Sequence, residues 1–418
     1  MGVFIGKKRG TGVTRVTLGA GAAAVALMLG ACGGSSSSST PKAADTPAAA
    51  GASSSAAAPA ESASPAAGAS GGGAAAIDAA YAQDLKGTWT APPTDPSPAV
   101  PGKKIMVISC GQANDNCTDM GIGAVGAAKA IGWTMILCDG QLNPAKASEC
   151  FRQAVAQHVD GIVNESWDCP IVKAPLQAAV DAGIKVVPLH AFDCGEIKPG
   201  DKNLFNVNLN YGDFAKNQPD AWRAWGAASA IAALKNAKGG AILYPDDTAE
   251  YASFKYQAEG WYAKVKEVAP STKVVSMPWT VSEVGAKLEA KTQATLLKNP
   301  DITAVATAVN PALGFRNGVR QSGKAGKIAL IEGHGSATEA SWVRDGSMTA
   351  LIGWPADWWG YGAFDALNSA FANKPQSVIG IGIAIIDKDH NLPPAGKPFV
   401  ANSVGIDLDA AYRKRWGK

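Results

Sequence analysis

From residue 103 onward, the chain alternates short apolar runs rich in β-branched residues with longer stretches of helical periodicity. The short runs predict buried strands and the longer stretches predict helices. In the first half the predicted strands are 105–109, 134–138, 161–164 and 185–189, and the helices are about 118–131, 145–158 and 172–182. Strands separated by helices of this length predict right-handed βαβ units and a parallel sheet.

The same alternation continues through the second half of the chain. The predicted strands there are 204–209, 241–244, 273–277, 304–308, 328–331 and 349–352, separated by helices at about 213–236, 250–268, 283–298, 311–322 and 358–373. The pattern therefore predicts an α/β protein with two doubly wound, parallel-sheet lobes of about five strands each. The break between the two sets falls near residue 212.

The first 32 residues have the order of an export signal. A basic stretch that ends at Arg15 precedes the apolar run 16–29, which is too short to span a bilayer as a helix. The run ends in the residues LGAC at 29–32, which resemble the lipobox of bacterial lipoprotein precursors. The resemblance implies cleavage before Cys32 and attachment of a lipid to its sulfur, which would anchor the protein to the cell membrane.

Residues 33–101 are predicted to form a disordered tether. The segment 33–76 is made mainly of Ser, Ala, Gly and Pro and cannot bury enough apolar surface to offset its loss of conformational entropy. Tyr81, Leu85 and Trp89 follow, and then a Pro-rich passage leads to the body. The tether would hold that body away from the bilayer.

The charge of the chain bears on its partners. The net charge of +3 includes four basic residues of the leader, so the rest of the chain is close to neutral. A neutral body has no broad basic surface for the phosphate backbone, which argues against nucleic acid as a partner.

Phrases of the sequence then point to a family. They are KIMVI at 104–108, GAAKAIGW at 126–133, VDGIV at 159–163, AGIKVV at 182–187 and VNPALG at 309–314. In their order and spacing they resemble the ribose-type, sugar-binding solute-binding proteins of ABC transporters, which have the type I periplasmic-binding fold. The family usually has Asn-Asp in the last of these phrases, and Asn310 occupies the acidic position of that pair here.

The resemblance implies two lobes joined by a three-stranded hinge, with crossings near residues 212, 354 and 386. The first lobe would contain 103–211 plus about 355–385, and the second 212–354 plus about 386–418. It also implies an ABC permease as partner. A lipoprotein that presents its ligand to a membrane sensor is an alternative that the sequence leaves open.

Ligands of parallel α/β sheets bind beyond the carboxyl ends of the strands, where loops vary and helix N-termini offer N–H donors. Reading the residues that follow each strand predicts a ligand site of Asn114, Asp115, Asp139, Trp167, Asp168, His190, Asp193, Asp247, Tyr251, Trp279, Asn310, His334, Trp354 and Asp357. Some of these Asp and Asn residues are expected only to cap the helices that follow them.

Aromatic rings and carboxylates recur in this set, and arginine does not. Trp faces and Asp or Asn oxygens suit the C–H faces and hydroxyls of a sugar or polyol. Carboxylate or phosphate ligands would call for an arginine fork. A cationic ligand is the alternative, since tryptophans beside carboxylates also form a cation cage.

Six cysteines remain after Cys32, an even number that favours disulfides in an exported chain. The sequence alone allows about fifteen pairings of six cysteines. Because the cysteines cluster at the strand-end loops, our hypothesis is that near neighbours pair: Cys110 with Cys117, Cys138 with Cys150, and Cys169 with Cys194.

No catalytic motif, cofactor or metal is expected. The GxGxxG pattern at 121–126 lies eleven residues beyond its strand, too far to place a dinucleotide on the helix N-terminus.

Overall fold

The computed structural model describes residues 70–247, 251–307 and 314–418. The leader with Cys32, the tether segment 33–69 and Asn310 lie outside the described residues, so the predictions made for them stay predictions. The described chain begins with helix α1 (Ser70–Lys86) and then enters two β-sheets, one in each lobe.

The sheet of the first lobe has four parallel strands in the order β2-β1-β3-β4. They are β1 (Lys104–Ser109), β2 (Thr134–Asp139), β3 (Gly161–Glu165) and β4 (Lys185–Leu189), and they alternate with helices α2 (Asp115–Ile131), α3 (Pro144–Ala156) and α4 (Cys169–Asp181), with the short α5 (Cys194–Ile197) after β4. The predicted alternation is confirmed here. Of the two edge strands, β2 has exposed positions, whereas β4 is buried because the helix Ala356–Phe371 packs on it and Asn206 bonds along its edge.

The second lobe contains six strands in the order β10-β9-β8-β7-β5-β6. They are β5 (Ala241–Asp246), β6 (Val274–Pro278), β7 (Ile302–Ala306), β8 (Ala329–Ile331), β9 (Ala350–Gly353) and β10 (Ala384–Asp387), with helices α6 (Gln218–Ala237), α7 (Ala252–Val268), α8 (Ala286–Lys298), α9 (Phe315–Gln321) and α10 (Ala337–Arg344). Strand β10 pairs antiparallel with β9, whereas the other pairs are parallel. The sheets thus hold four and six strands instead of about five each.

Two helices from the end of the chain return to the first lobe. Helix α11 (Ala356–Phe371) packs on α2 and β4, as predicted for 355–385, and α12 (Leu408–Trp416) packs on α2 as well. The assignment of 386–418 to the second lobe is therefore wrong for α12. Tyr412 and Trp416 stack against Tyr361 of α11, and the buried Arg415 pairs with Asp365 at 2.8 Å, which fixes the helix there.

The predicted strand at 204–209 is also wrong. The Asn206 side chain occupies the edge of β4: its Oδ1 accepts from the Val186 N–H, and its Nδ2 donates to the Ile184 oxygen. Because a side chain takes these backbone partners, the segment follows β4 without joining a regular ladder. An isolated bridge between Asn210 and Val378 follows it.

The stretch 70–101, predicted as tether, is part of the fold. Helix α1 packs on α6 and β10 of the second lobe, and the Tyr81 hydroxyl donates to Asp387 Oδ2 at 2.8 Å. Farther along, the backbone of 88–90 bonds to 380–383, and Ser97 and Ala99 donate to the carbonyls of the last turn of α12. Ile77, Tyr81, Leu85 and Trp89 supply the apolar contacts that offset the ordering of this segment.

The lobes are joined by more crossings than the three predicted. The chain passes between them at 210–217, at 354–355 and at 372–383. The third of these crossings precedes β10, whereas it was predicted near residue 386. Two further segments also pass between the lobes. Residues 88–99 lead from α1 on the second lobe to α12 on the first, and residues 399–407 lead from the second lobe to α12.

Candidate functional site

A cavity of about 240 Å³ lies between the two lobes, at the carboxyl ends of their strands. The first lobe lines it with Cys110, Asn114, Asn116, Cys117, Met120, Leu142, Ser166, Trp167, Asp168 and His190, and the second lobe with Trp222, Tyr251, Ser253, Phe254, Trp279 and His334. Loops after β1, β2, β3 and β4 face loops after β5, β6 and β8, as expected where two parallel sheets point their strand ends at one cleft.

Half of the predicted ligand residues meet at this cavity. They are Asn114, Trp167, Asp168, His190, Tyr251, Trp279 and His334. Trp354 lies just beyond them and lines a small neighbouring cavity with His190 and His334. The strand-end reasoning therefore found residues from both lobes without knowledge of how the lobes meet.

Three of the predicted carboxylates accept hydrogen bonds from backbone N–H groups and do not line the cavity. Asp139 Oδ1 accepts from the N–H groups of Gln112 and Gln141 at 3.0 and 2.9 Å. Asp193 begins α5 and accepts from three backbone N–H groups, those of Cys194, Leu204 and Phe205, and Asp357 accepts from the N–H of Ala401. The structure does not bring these three to the cavity, in keeping with the capping role that Asp also has at helix starts.

Two more predicted residues lie beside the cavity without lining it. Asp115 is exposed at the rim, where its Oδ2 accepts from the Thr338 hydroxyl of the second lobe at 2.6 Å. Asp247 is buried after β5.

Several lining residues were missed by the sequence analysis, chiefly Trp222, Phe254, Met120 and Leu142. Trp222 lies in the first turns of α6 and follows no strand, so only the packing of the lobes brings it to the cleft. The signal that could have found it is the helix start marked by Asn217 and Pro219 immediately after the first crossing.

The two lobes contact each other directly around the cavity. The Ala252 N–H at the start of α7 donates to Asp168 Oδ2 at 3.3 Å, and the hydroxyl of Tyr256 donates to the Glu196 carbonyl. Phe192 of the first lobe packs against Trp222 and Tyr256 of the second. These contacts hold the two lobes together around the cavity.

His190 lies at the centre of an aromatic cluster contributed by both lobes. Its ring centroid is 4.3 Å from Trp359, 5.1 Å from Trp222 and 6.2 Å from His334. Its Nε2 and that of His334 are inaccessible to solvent and have no hydrogen-bond partner in the described protein. Burial lowers the pKa of His190 to about 3, and burial with the neighbouring His190 lowers the pKa of His334. The two imidazole rings thus meet edge to face across the lobes.

Asp168 is the one carboxylate among the described lining residues. Its Oδ1 accepts from the Phe192 N–H at 3.0 Å and its Oδ2 from Ala252, so backbone groups engage both oxygens. Burial raises the pKa of Asp168 to about 7. The described lining contains no Lys or Arg, so it offers no cationic group to an anionic ligand.

The tryptophans of the two lobes differ in hydrogen bonding. The indole Nε1 atoms of Trp222 and Trp279 are buried and have no partner in the described chain, and indole N–H groups can only donate. Trp167 differs, because its Nε1 donates to the Ser109 carbonyl within its own lobe at 3.2 Å. Of the three tryptophans that line the cavity, the two of the second lobe therefore have an indole donor that the described protein does not use.

The predicted disulfides are confirmed. Cys110 is bonded to Cys117, Cys138 to Cys150, and Cys169 to Cys194, all beside the cleft rim of the first lobe. Within the described residues, the one group of metal-ligand type combines Cys169, Cys194 and Asp193. Because the two sulfurs are bonded to each other, they are not free thiolates for a metal.

Comparisons with known proteins agree with this architecture. The sequence profile of the periplasmic binding protein domain matches residues 105–375. A solute-binding protein of an ABC transporter from Agrobacterium vitis, bound with α-D-tagatopyranose, has a TM-score of 0.61 at 20% identity, covering 71% of this chain and 99% of that one. A second one from that organism, with D-fucose, has a TM-score of 0.57 at 21% identity, with coverages of 71% and 99%.

A third solved structure is the solute-binding protein from Actinobacillus succinogenes with D-allose, which has a TM-score of 0.57 at 19% identity and coverages of 69% and 98%. No curated protein matches the sequence. None of the described helices is long and apolar enough to cross a membrane. The family profile covers more than half of the chain, and the predicted two-lobed fold is confirmed. The chain therefore belongs to the periplasmic binding protein domain family, whose members are extracytoplasmic binding proteins and not enzymes.

Proposed function

We propose that this chain captures a sugar or polyol between its lobes and delivers it to the permease of an ABC transporter. The observation that carries the proposal is the composition of the interlobe cavity. Trp167, Trp222 and Trp279 offer flat apolar faces, while Asn114 and His190 are among the polar groups beside them, and no described lining residue is a cation. Sugars need both kinds of surface, because their C–H faces are apolar and their hydroxyls are polar.

The size of the cavity and the structural relatives support the same ligand class. A cavity of about 240 Å³ suits a small molecule and not a polymer. The solved structures with this fold include proteins bound with tagatopyranose, fucose and allose.

The cationic alternative is less well supported. Aromatic faces attract a cation by themselves, and an ionised carboxylate beside them strengthens its binding. Asp168, the one carboxylate of the described lining, has both oxygens bonded to backbone N–H groups, and its pKa is raised to about 7 by burial. It is therefore a poor counter-ion, and a neutral ligand fits the cavity better.

The mechanism that follows is hinge closure. Ligand contacts with both lobes stabilise the closed form by their differential affinity for it. The contacts of Asp168 with Ala252 and of Asp115 with Thr338 form at the same time, and the permease would recognise the closed pair of lobes.

We also propose a lipid anchor on Cys32, based on the leader and the residues that precede this cysteine. Residues 33–69 would then connect the anchor to helix α1. Replacing Cys32 by Ala should release the protein from the membrane fraction while leaving ligand affinity unchanged. Retention of the variant in the membrane fraction would remove the anchor from the proposal.

The ligand class is tested by a thermal-shift screen of the purified protein against monosaccharides, polyols, amino acids, polyamines and quaternary amines. A ligand at a hundred times its Kd stabilises by about 2.7 kcal/mol, which raises Tm measurably. We expect the shift with one group of sugars or polyols. A shift with amines alone would replace the sugar by a cation, and a shift with amino acids alone would refute the argument from the missing cationic side chains.

A further inference from the structure

Two loops of the first lobe turn into the left-handed backbone region at residues that are not glycine. Ser166 has a φ of 62° and His190 has a φ of 58°. Ser166 directly follows β3, His190 directly follows β4, and both line the interlobe cavity. Because the last residues of these neighbouring strands, Glu165 and Leu189, are partners in the register, the two left-handed residues lie side by side at the cleft.

Left-handed residues away from the cleft have an ordinary reason for this backbone. His158, Lys238 and Asn373 each lie within two residues of the end of a helix. The left-handed conformation is common there because it closes the last helical turn. A strand end makes no such demand, and a residue with a Cβ atom is disfavoured in this region. Histidine is among the residues that tolerate it, but serine is not enriched there, so Ser166 calls for a separate explanation.

The second lobe uses glycine where its chain turns in the same way after β8. Gly333 and Gly335 have φ values of 88° and 109°. A Cβ atom on Gly333 would lie 2.8 Å from the carboxyl carbon of Glu339, and one on Gly335 would lie 2.8 Å from the Cβ of Phe399, so neither position has room for a side chain. Ser166 differs, because the residue borders the cavity. The first lobe therefore keeps a side chain at a left-handed position that glycine would occupy without strain.

The structure around Ser166 holds its turn in place. The Ser166 N–H donates to the Leu189 carbonyl at 2.8 Å, and Asn164 Nδ2 donates to the Trp167 carbonyl at 2.8 Å. Residues in sparsely populated backbone regions persist only where the neighbouring structure fixes them, and they cluster at ligand sites. The backbone of the turn is thus bonded, whereas the Ser166 hydroxyl has no hydrogen-bond partner among the described residues.

We infer that Ser166 is a ligand-binding residue whose hydroxyl bonds to a hydroxyl of the bound sugar, and that its strained backbone is kept because glycine would remove this group. The inference rests on the proposed function and adds a residue that the sequence analysis missed. A serine hydroxyl both donates and accepts, which suits a sugar hydroxyl in either role. The position gives up stability for affinity, and this exchange can be measured.

The test combines isothermal titration with thermal unfolding of the purified protein. The titrants are D-glucose, D-galactose, D-xylose, D-allose, D-fucose, D-tagatose and D-sorbitol. For the titrant that binds most tightly, Ser166→Ala should lower affinity about fivefold, the value of one hydrogen bond. It should leave Tm within about 0.5 °C, because alanine keeps the left-handed strain. Ser166→Gly should lower affinity as much but raise Tm by about 2 °C, because glycine adopts this backbone without strain.

Lys238→Gly is the matched control. Lys238 also has left-handed backbone, with a φ of 50°, but it is exposed at the end of α6 and is not among the residues that line the cavity. Glycine there should raise Tm by a similar amount, about 2 °C, and leave affinity unchanged. A gain of stability that is joined to a loss of affinity only at Ser166 would separate a ligand contact from a structural role.

The outcomes distinguish this inference from the proposed function. If a titrant binds the wild-type protein and binds Ser166→Ala equally well, the inference is refuted and the proposed function stands. It is refuted as well if Ser166→Gly loses both stability and affinity while Lys238→Gly gains stability, because the serine would then have only a structural part in its loop. If none of the titrants binds the wild-type protein, the sugar function loses its support and the inference falls with it.

Discussion

The two lobes build their sides of the cleft in different ways. Every cysteine after Cys32 lies between residues 110 and 194, so all three disulfides brace the first lobe and the sequence of the second lobe contains no cysteine. The second lobe instead lines the cleft with aromatic residues held by packing, among them Trp222, Phe254 and Trp279.

The difference extends to hydrogen bonding. The Trp167 indole N–H of the first lobe is used within that lobe, whereas the N–H groups of Trp222 and Trp279 have no partner in the described protein. The first lobe is thus braced by covalent bonds beside the cleft, whereas the second lobe has two indole donors that the described protein does not use. Preorganisation of one side limits the entropy that closure must overcome.

The largest expected effect concerns the covalent braces. Replacing both Cys169 and Cys194 by Ala opens the longest of the disulfide loops, with a sequence separation of 25. Loss of this bridge should lower the free energy of unfolding by about 3 kcal/mol, against about 2 kcal/mol for the Cys110–Cys117 bridge, whose loop is shorter. Denaturant unfolding of the two double variants measures both values, and equal losses would contradict the expected dependence on loop length.

The next effect is on the pH dependence of binding. The pKa of His190 is lowered to about 3 in the closed form, and opening would return it towards the ordinary 6.5. The closed form therefore binds fewer protons, and this contribution to affinity is present above pH 6.5 and is lost as pH falls below it. From pH 7.5 to 5.5, one histidine accounts for about a tenfold loss.

Titrations at these two pH values test the assignment with two variants. His190→Asn should make the ratio of the affinities at pH 7.5 and 5.5 about tenfold smaller than in the wild type. Asp168→Asn should change the ratio in the opposite direction, because the pKa of Asp168 is raised to about 7 and its protonation favours closure as pH falls. An unchanged ratio in both variants would show that closure does not bury these groups.

A smaller effect separates the tryptophans of the two lobes. Trp222→Phe removes a donor that the described protein does not use, so we expect affinity to fall about fivefold, the value of one buried hydrogen bond with the ligand. Both Trp222→Phe and Trp167→Phe lose stability through the smaller ring. Trp167→Phe should lower stability by about 1 kcal/mol more than Trp222→Phe does, since it also leaves the Ser109 carbonyl unpaired. Titration and denaturant unfolding measure the two quantities.

Trp261→Phe is the control for these variants, because Trp261 is buried in the second lobe with an unpartnered Nε1 and does not line the cavity. Its affinity should be unchanged. A loss of affinity equal to that of Trp222→Phe would mean that the effect comes from the core of the lobe.

The smallest effect is expected at the rim. Thr338→Val removes the hydroxyl that donates to Asp115 across the cleft. Because the bond is exposed, it contributes less than 1 kcal/mol, and affinity should fall about twofold. A tenfold loss would show that this contact has a larger part in holding the closed form.

The sequence by itself determined the local order of this protein. Alternating apolar runs and helical periods predicted nine of the ten strands, β1 to β9, since these patterns are set by which face of each element is buried. Strand β10 was not predicted. The same order located Trp167, His190, Trp279 and His334 at the cleft, because the carboxyl ends of parallel strands share one edge of a sheet. Close spacing at those loops also gave the disulfide pairs.

The tertiary structure alone decided how distant segments are used. All three of Asp139, Asp168 and Asp193 accept from backbone N–H groups, and nothing local distinguishes Asp168, which also lines the cavity, from the other two. Helix α1 and residues 88–99 look like a tether in the sequence, yet they are ordered by contacts with residues about 300 positions away. Trp222 and Leu142 reach the cavity through lobe packing and a left-handed loop, because contacts between remote residues carry no periodic signal along the chain.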